Sequence, residues 1–165
     1  MNKILCEIEG VIIRLPGKNL DKRGWLAELF RRDELPAALM PAMGYVSMTE
    51  PGVSRGPHEH RDQTDFFSFI GSSTFRVFLW DNRPGSTTYG KRCCFEAPSG
   101  SVVSVIVPPG VVHAYKNIGK TQGLVFNAPD RLYRGTGKRN APDEIRYEDQ
   151  SDSEFRIDDA NNHFR

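Results

Sequence analysis

The sequence predicts an all-β fold, on three observations. Helical periodicity is almost absent, short β-rich runs recur along the chain, and clusters of Gly, Pro, Asn and Asp separate them. Candidate strands fall at residues 4–13, 26–31, 42–48, 64–70, 74–81, 91–96, 101–107, 112–117 and 123–128. The run at 26–31 is also compatible with a helical turn, because Leu, Ala and Glu favour helix. The run at 74–81 reads Thr-Phe-Arg-Val-Phe-Leu-Trp-Asp, nearly continuous apolar, which predicts burial on both faces. Glu50-Pro51-Gly52, Asn82-Arg83-Pro84-Gly85, Pro98-Ser99-Gly100 and Pro108-Pro109-Gly110 supply the intervening turns. The aromatic run Phe66-Phe67-Ser68-Phe69 fits strand packing, and Trp80 and Tyr89 read as core or turn residues.

The 165 residues suit one domain, read as 1–150, followed by a polar tail at 151–165 whose end is expected to fray. From about Asp130 the composition becomes polar, basic and Gly-containing, which predicts a loop-rich C-terminal segment over one end of the β domain. A formal charge of +1, from 22 basic and 21 acidic residues, gives no bulk attraction for nucleic acid or an anionic membrane. An anionic ligand therefore has to be held by a few placed cations. No apolar run has the length of a spanning helix, and Met1-Asn2-Lys3 does not open a signal peptide. The three cysteines, Cys6, Cys93 and Cys94, make a poor disulfide framework and read as reduced thiols in a cytoplasmic protein.

The chemistry concentrates at two patterned segments. The first runs from Gly52 through His58-Glu59-His60 and Asp65 to Gly71; the second runs from Pro108-Pro109-Gly110 through His113 to Asn117. On a strand His58 and His60 point to the same side, because side chains alternate with a period of two. The fourth histidine, His163, lies in the polar tail. Together the two segments resemble the paired motifs of the cupin superfamily, with Asp65 where many members carry Glu. That resemblance implies a jelly-roll barrel in which both segments converge on one cavity.

A more specific resemblance runs from about Ile8 to Asp149. Its elements are Glu9-Gly10-Val11-Ile12-Ile13, Asp21-Lys22-Arg23-Gly24-Trp25 with Glu28, and Arg55-Gly56-Pro57-His58. It continues through the segment from Asp81 to Gly90, the segment from Val107 to His113, and Ile145-Arg146-Tyr147-Glu148-Asp149. These resemble the dTDP-4-dehydrorhamnose 3,5-epimerase family and the related dTDP-sugar ketoisomerases. The resemblance implies a homodimer acting on a nucleotide-activated 4-keto-deoxyhexose, without a cofactor, by removing and redelivering a proton alpha to the ketone. It implies a catalytic dyad of His58 and Asp149, with Arg55 and His113 facing the sugar or the enolate oxygen. Arg23, Trp25 and Glu28 would hold the nucleotide diphosphate, with His60 and Asp65 as further cavity contacts. Two positions depart from the family: its Lys corresponds to Asp65, and its general-acid Tyr falls on Phe126, leaving Tyr115 and Tyr133 as the nearest phenols in sequence.

The same residues support a second reading. His58, His60, Asp65 and His113 form a three-imidazole, one-carboxylate set suited to divalent iron, manganese, nickel or zinc. That reading gives a metal-dependent oxygenase or isomerase, and a third is a cupin that binds a sugar nucleotide without turnover.

Overall fold

A computed structural model describes residue 4 and residues 6–157. In chain order its strands are β1 (Ile12–Arg14), β2 (Asn19–Asp21), β3 (Gly24–Leu26), β4 (Tyr45–Thr49), β5 (Ser54–Glu59) and β6 (Asp65–Ile70). They continue as β7 (Phe75–Asp81), β8 (Arg92–Ala97), β9 (Val102–Val107), β10 (Val111–Asn117), β11 (Gly123–Asn127) and β12 (Ile145–Arg146). Helical structure among the described residues is limited to single 3₁₀ turns at Ala37–Leu39 and Thr136–Lys138.

Two five-stranded antiparallel sheets carry the fold, with orders β1-β9-β6-β11-β4 and β12-β5-β10-β7-β8. Their inner faces share a core that includes Phe67, Phe69, Phe75, Val77, Leu79, Val103, Val105 and Val125. Alternation sends the neighbouring residues outward, where the first sheet packs Phe66 and Ile106 against Leu35, Phe30 and Leu39. Outward from the second sheet, Phe78, Trp80, Val112 and Ala114 meet Tyr147, Phe155 and Ile157. Both faces of β7 and β9 are therefore covered, which is why β9, Val-Val-Ser-Val-Ile-Val, is buried at every position. Each such side chain contributes on the order of 2 kcal/mol of apolar burial.

The expectation that β7 is buried on both faces holds, and within 151–157 Phe155 packs against Trp80 and Tyr147. Residues 158–165, with His163, lie outside the described residues. Two strand expectations shrink. Within the run at 4–13, residues 8–11 form a turn, with Val11 N–H donating to the Ile8 carbonyl, and only the end of the run enters β1. Leu26 closes β3, and residues 27–31 are irregular because Phe30 covers the outer face of the first sheet instead of joining a strand pair.

The segment after β7 is a structural turn. The Asp81 carboxylate, 2% exposed, accepts hydrogen bonds from Arg83 Nε (2.7 Å), Ser86 Oγ (2.6 Å) and Thr88 Oγ1 (2.6 Å). Glu9 in turn accepts from the Thr87 backbone and hydroxyl, at 3.0 and 2.7 Å. Among the described residues no helix is long and apolar enough to cross a membrane.

Candidate active site

β5, β10 and β12 lie side by side and bring the motif histidines together. His58 is the direct register partner of His113 on one side and of Arg146 on the other. The His58 and His113 rings meet edge-on, with centroids 4.4 Å apart, and the His60 ring lies 5.7 Å from His58. β5 ends at Glu59, so His60 lies beyond the strand; it is held by a hydrogen bond from Nδ1 to the Asp143 carbonyl. The Asp143 carboxylate receives the backbone N–H groups of Arg61, Asp62 and Gln63, at 2.9–3.0 Å, and so shapes the turn into β6.

Gly56 explains the Arg-Gly-Pro-His element. Its φ is +78°, and a Cβ there would sit 2.5 Å from the His113 carbonyl oxygen. Only glycine permits both the left-handed backbone and the close approach of β5 to β10. The register shifts between His113 and Tyr115, beside this contact.

Asp65 opens β6 and is 1% exposed. Its Oδ1 accepts from Gln63 Nε2 and Asn127 Nδ2, both at 2.9 Å. Its Oδ2 lies 3.1 Å from His60 Nε2 and 3.2 Å from His113 Nε2. Neither approach has hydrogen-bond alignment, so Asp65 Oδ2 and His113 Nε2 remain unpartnered although buried. Asn127 Nδ2 also donates to Tyr45 Oη at 2.8 Å, which leaves the Tyr45 hydroxyl hydrogen available to a ligand.

The electrostatics divide the three rings. Burial, with the imidazoles of His113 and His60 alongside, pushes His58 down to about 2, so His58 is neutral at physiological pH. This reverses the direction expected for a His with a carboxylate partner, since the two acids facing it stop short of contact. Glu144 Oε1 lies 4.0 Å from its Nε2 and Glu148 Oε2 lies 4.0 Å from its Nδ1. Burial also opposes charge on His60, but Asp65 outweighs it and pushes His60 up to about 9. Asp65 is ionised despite complete burial, because His113 and His60 hold it well below the usual carboxylate range.

The donor set fits a cation: one ligand atom from each of His58, His60, Asp65 and His113 lies within 4.8 Å of all the others. Sequence reasoning placed these four correctly. It missed Gln63 and Asn127, which orient Asp65, and the acids that lie 4.0 Å from His58 are Glu144 and Glu148 rather than the expected Asp149. Asp149 is exposed; the backbone N–H groups of Tyr147 and Glu148 both donate to the Pro57 carbonyl, and this turns Glu148 towards His58.

The remaining expected residues make their contacts with residues outside these four. Arg55 donates to Thr49 Oγ1 (3.1 Å) and to the Met48 carbonyl (2.9 Å), bracing β5 against β4. Tyr115 is buried, its ring packed against Phe67, Phe69 and Phe75 and its hydroxyl 3.2 Å from Ser47 Oγ. Tyr133 is exposed on the C-terminal segment. Arg23 pairs with Asp21, the Lys18 ammonium lies over the Trp25 ring, and Glu28 faces Arg31. Phe126 packs on the outer face of its sheet, because Val125 and Asn127 take the inward positions of β11. The inward residue beside Asp65 is thus Asn127, and the phenol joined to the cluster is Tyr45.

The family model for dTDP-4-dehydrorhamnose 3,5-epimerase matches residues 5–157. A probable low-salt glycan biosynthesis epimerase of Haloferax volcanii is 35% identical over 76% of this chain and 81% of its own. A spore coat polysaccharide biosynthesis protein of Bacillus subtilis is 33% identical over 69% of this chain and 74% of its own. Among solved structures, a dTDP sugar isomerase from Desulfovibrio desulfuricans superposes with a TM-score of 0.74 at 23% identity, covering 87% of both chains, and so shows the fold as a jelly roll of that type.

Proposed function

We infer the function of this chain from its family: it belongs to the dTDP-4-dehydrorhamnose 3,5-epimerase family. As a member of it, the chain is a sugar epimerase or isomerase whose substrate we propose is a dTDP-4-keto-6-deoxyhexose, turned over by proton transfer alpha to the ketone. The observation that carries this reading is a neutral His58, 15% exposed, facing His113 and bordered by Glu144 and Glu148.

The chemistry arises from that arrangement. A neutral imidazole accepts the alpha proton, and the carboxylate at its Nδ1 side stabilises the imidazolium that forms. Glu148 is 4.0 Å away in the free protein, and such contacts tighten when substrate binds. Carboxylate contact raises the basicity of His58 from the low value that burial imposes. The charge growing on the ketone oxygen needs a nearby cation or donor. His60, held protonated by Asp65, and the Tyr45 hydroxyl are the groups positioned to supply one, and Tyr45 redelivers a proton.

We propose further that the enzyme is a single-domain homodimer working in the cytoplasm. β4 is an edge strand exposing Tyr45, Val46 and Met48, and the β2–β3 hairpin exposes Leu20, Trp25 and Leu26, so a second copy would remove an apolar surface from water. No disulfide joins Cys6, Cys93 and Cys94 among the described residues, which suits a reducing compartment. Incubation with a dTDP-4-keto-6-deoxyhexose, followed by proton NMR of the sugar ring, tests the reaction. An inverted centre or a moved ketone supports it, and recovery of unchanged sugar refutes it.

A further inference from the structure

We propose that Glu59, Tyr147 and Asn82 are positioning residues that, from the outer face of the second sheet, hold the Glu148 carboxylate against His58. The inference deepens the epimerase reading and rests on it. β12 contains two residues, Ile145 and Arg146, paired with Glu59 and His58 of β5. Past that pair the chain stays on β5 through one acceptor, the Pro57 carbonyl. It receives the N–H groups of Tyr147 (2.9 Å) and Glu148 (3.1 Å). Two backbone bonds beyond so short a strand open readily by themselves.

Side chains supply the missing hold. Alternation along β5 sends Glu59 to the face opposite His58, where it is 6% exposed. Its carboxylate accepts from Tyr147 Oη at 2.7 Å and from Asn82 Nδ2 at 3.2 and 3.3 Å. Asn82 Nδ2 also donates to Tyr147 Oη at 3.2 Å, so the three side chains close a ring of contacts. Asn82 is itself fixed, because its backbone N–H donates to the Gly110 carbonyl at 3.1 Å. Burial, and then Glu59, push the Tyr147 phenol above its ordinary range, so it remains a donor at neutral pH. Phe155 backs the Tyr147 ring with centroids 4.7 Å apart, and Trp80 backs Phe155.

Among the described residues the hydrogen-bond partners of Glu59 are this phenol and this amide, both neutral. A buried carboxylate so partnered is expensive to desolvate, and an apolar side chain would serve stability as well. What the carboxylate adds is direction. It fixes Tyr147 on the outer face, and the next residue, Glu148, turns to the other side, where its Oε2 lies 4.0 Å from His58 Nδ1. His58 Nδ1 is buried without a hydrogen-bond partner, so its proton has Glu148 to meet when the ring becomes charged. Glu59, Tyr147 and Asn82 therefore act on the reaction through Glu148.

The test is a double-mutant cycle between Tyr147→Phe and Glu148→Gln, read as kcat and KM on a dTDP-4-keto-6-deoxyhexose. Tyr147→Phe should lower kcat about 5–20-fold with KM within about 2-fold of wild type. In the Glu148→Gln background it should change kcat less than about 2-fold. A merely structural Tyr147 costs the same factor in both backgrounds, and that result overturns the proposal. Glu59→Gln keeps an acceptor for the phenol and should stay within about 3-fold of wild type, whereas Glu59→Leu should lose as much as Tyr147→Phe. Equal kcat in the two Glu59 variants also overturns it. Amide hydrogen exchange by NMR on the free protein needs no substrate. The Tyr147 and Glu148 N–H groups should exchange at least about 10-fold faster in Tyr147→Phe and Glu59→Leu, while β7 and β9 keep wild-type protection and so report an intact fold. Unchanged exchange at those two positions overturns the proposal. The expected exchange pattern together with a wild type inert towards the sugar supports the anchoring and overturns the substrate reading alone.

Discussion

His58 and His113 are register partners across β5 and β10, and their rings meet edge-on with centroids 4.4 Å apart. One strand pair thus delivers a proton acceptor and a cavity wall to the same point. The pairing depends on Gly56, where β5 passes too close to β10 for a side chain.

Gly56→Ala should therefore damage the site through the backbone. The added Cβ meets a carbonyl oxygen, which cannot swing away like a side chain, and the residue must also hold φ near +78°. The expected loss is about 2 kcal/mol or more of unfolding free energy, read by urea denaturation, with activity falling in parallel. A variant as stable as wild type would contradict the close approach.

His58→Asn should keep the fold and lose turnover by roughly 10²–10⁴-fold, the range for a general base. Thermal melts within a few degrees of wild type accompany the kinetic loss if His58 acts in chemistry. A variant with at least half the wild-type kcat would remove His58 from the mechanism.

The two neighbouring acids should separate. Glu148→Gln is expected to lower kcat about 10–100-fold, because Glu148 faces His58 Nδ1, whereas Asp149→Asn should change it less than about 3-fold. The reverse ranking would restore the dyad that the sequence suggested.

That Glu148 rather than the expected Asp149 faces His58 shows where sequence reading stops. Strands β6 to β11 were legible because alternation, β-branched residues and turn clusters all agree there. The His58, His60, Asp65 and His113 cluster was legible because fixed spacings carry it to one cavity. The two-residue β12 and the exposed β2–β3 hairpin have no such pattern. Glu148 is selected over Asp149 by two backbone hydrogen bonds to Pro57, which leave no trace in residue type. Phe126 is different: parity along β11 already excludes it from the cavity once Val125 is recognised as core.

Asp81→Asn should cost about 2 kcal/mol at neutral pH, since the carboxylate accepts charge-assisted bonds from Arg83 and further bonds from Ser86 and Thr88. Burial opposes ionisation there, but these bonds prevail and hold the folded-state pKa below the ordinary 3.8. A depressed carboxylate pKa stabilises the fold above the unfolded value and loses that contribution as pH falls through the folded one. Stability curves of wild type and variant should therefore converge in acid below about pH 4, as read by denaturation at stepped pH. A constant gap would contradict the assignment.

Deuterium incorporation tests the central claim most directly. The enzyme is incubated in deuterium oxide with a dTDP-4-keto-6-deoxyhexose, and the ring carbons are read by mass spectrometry and NMR. Wild type is predicted to place solvent deuterium at a carbon alpha to the ketone, with exchange abolished in His58→Asn and nearly unchanged in Asp149→Asn. No deuterium at any ring carbon with wild-type enzyme, or equal incorporation by His58→Asn, would contradict proton transfer by His58.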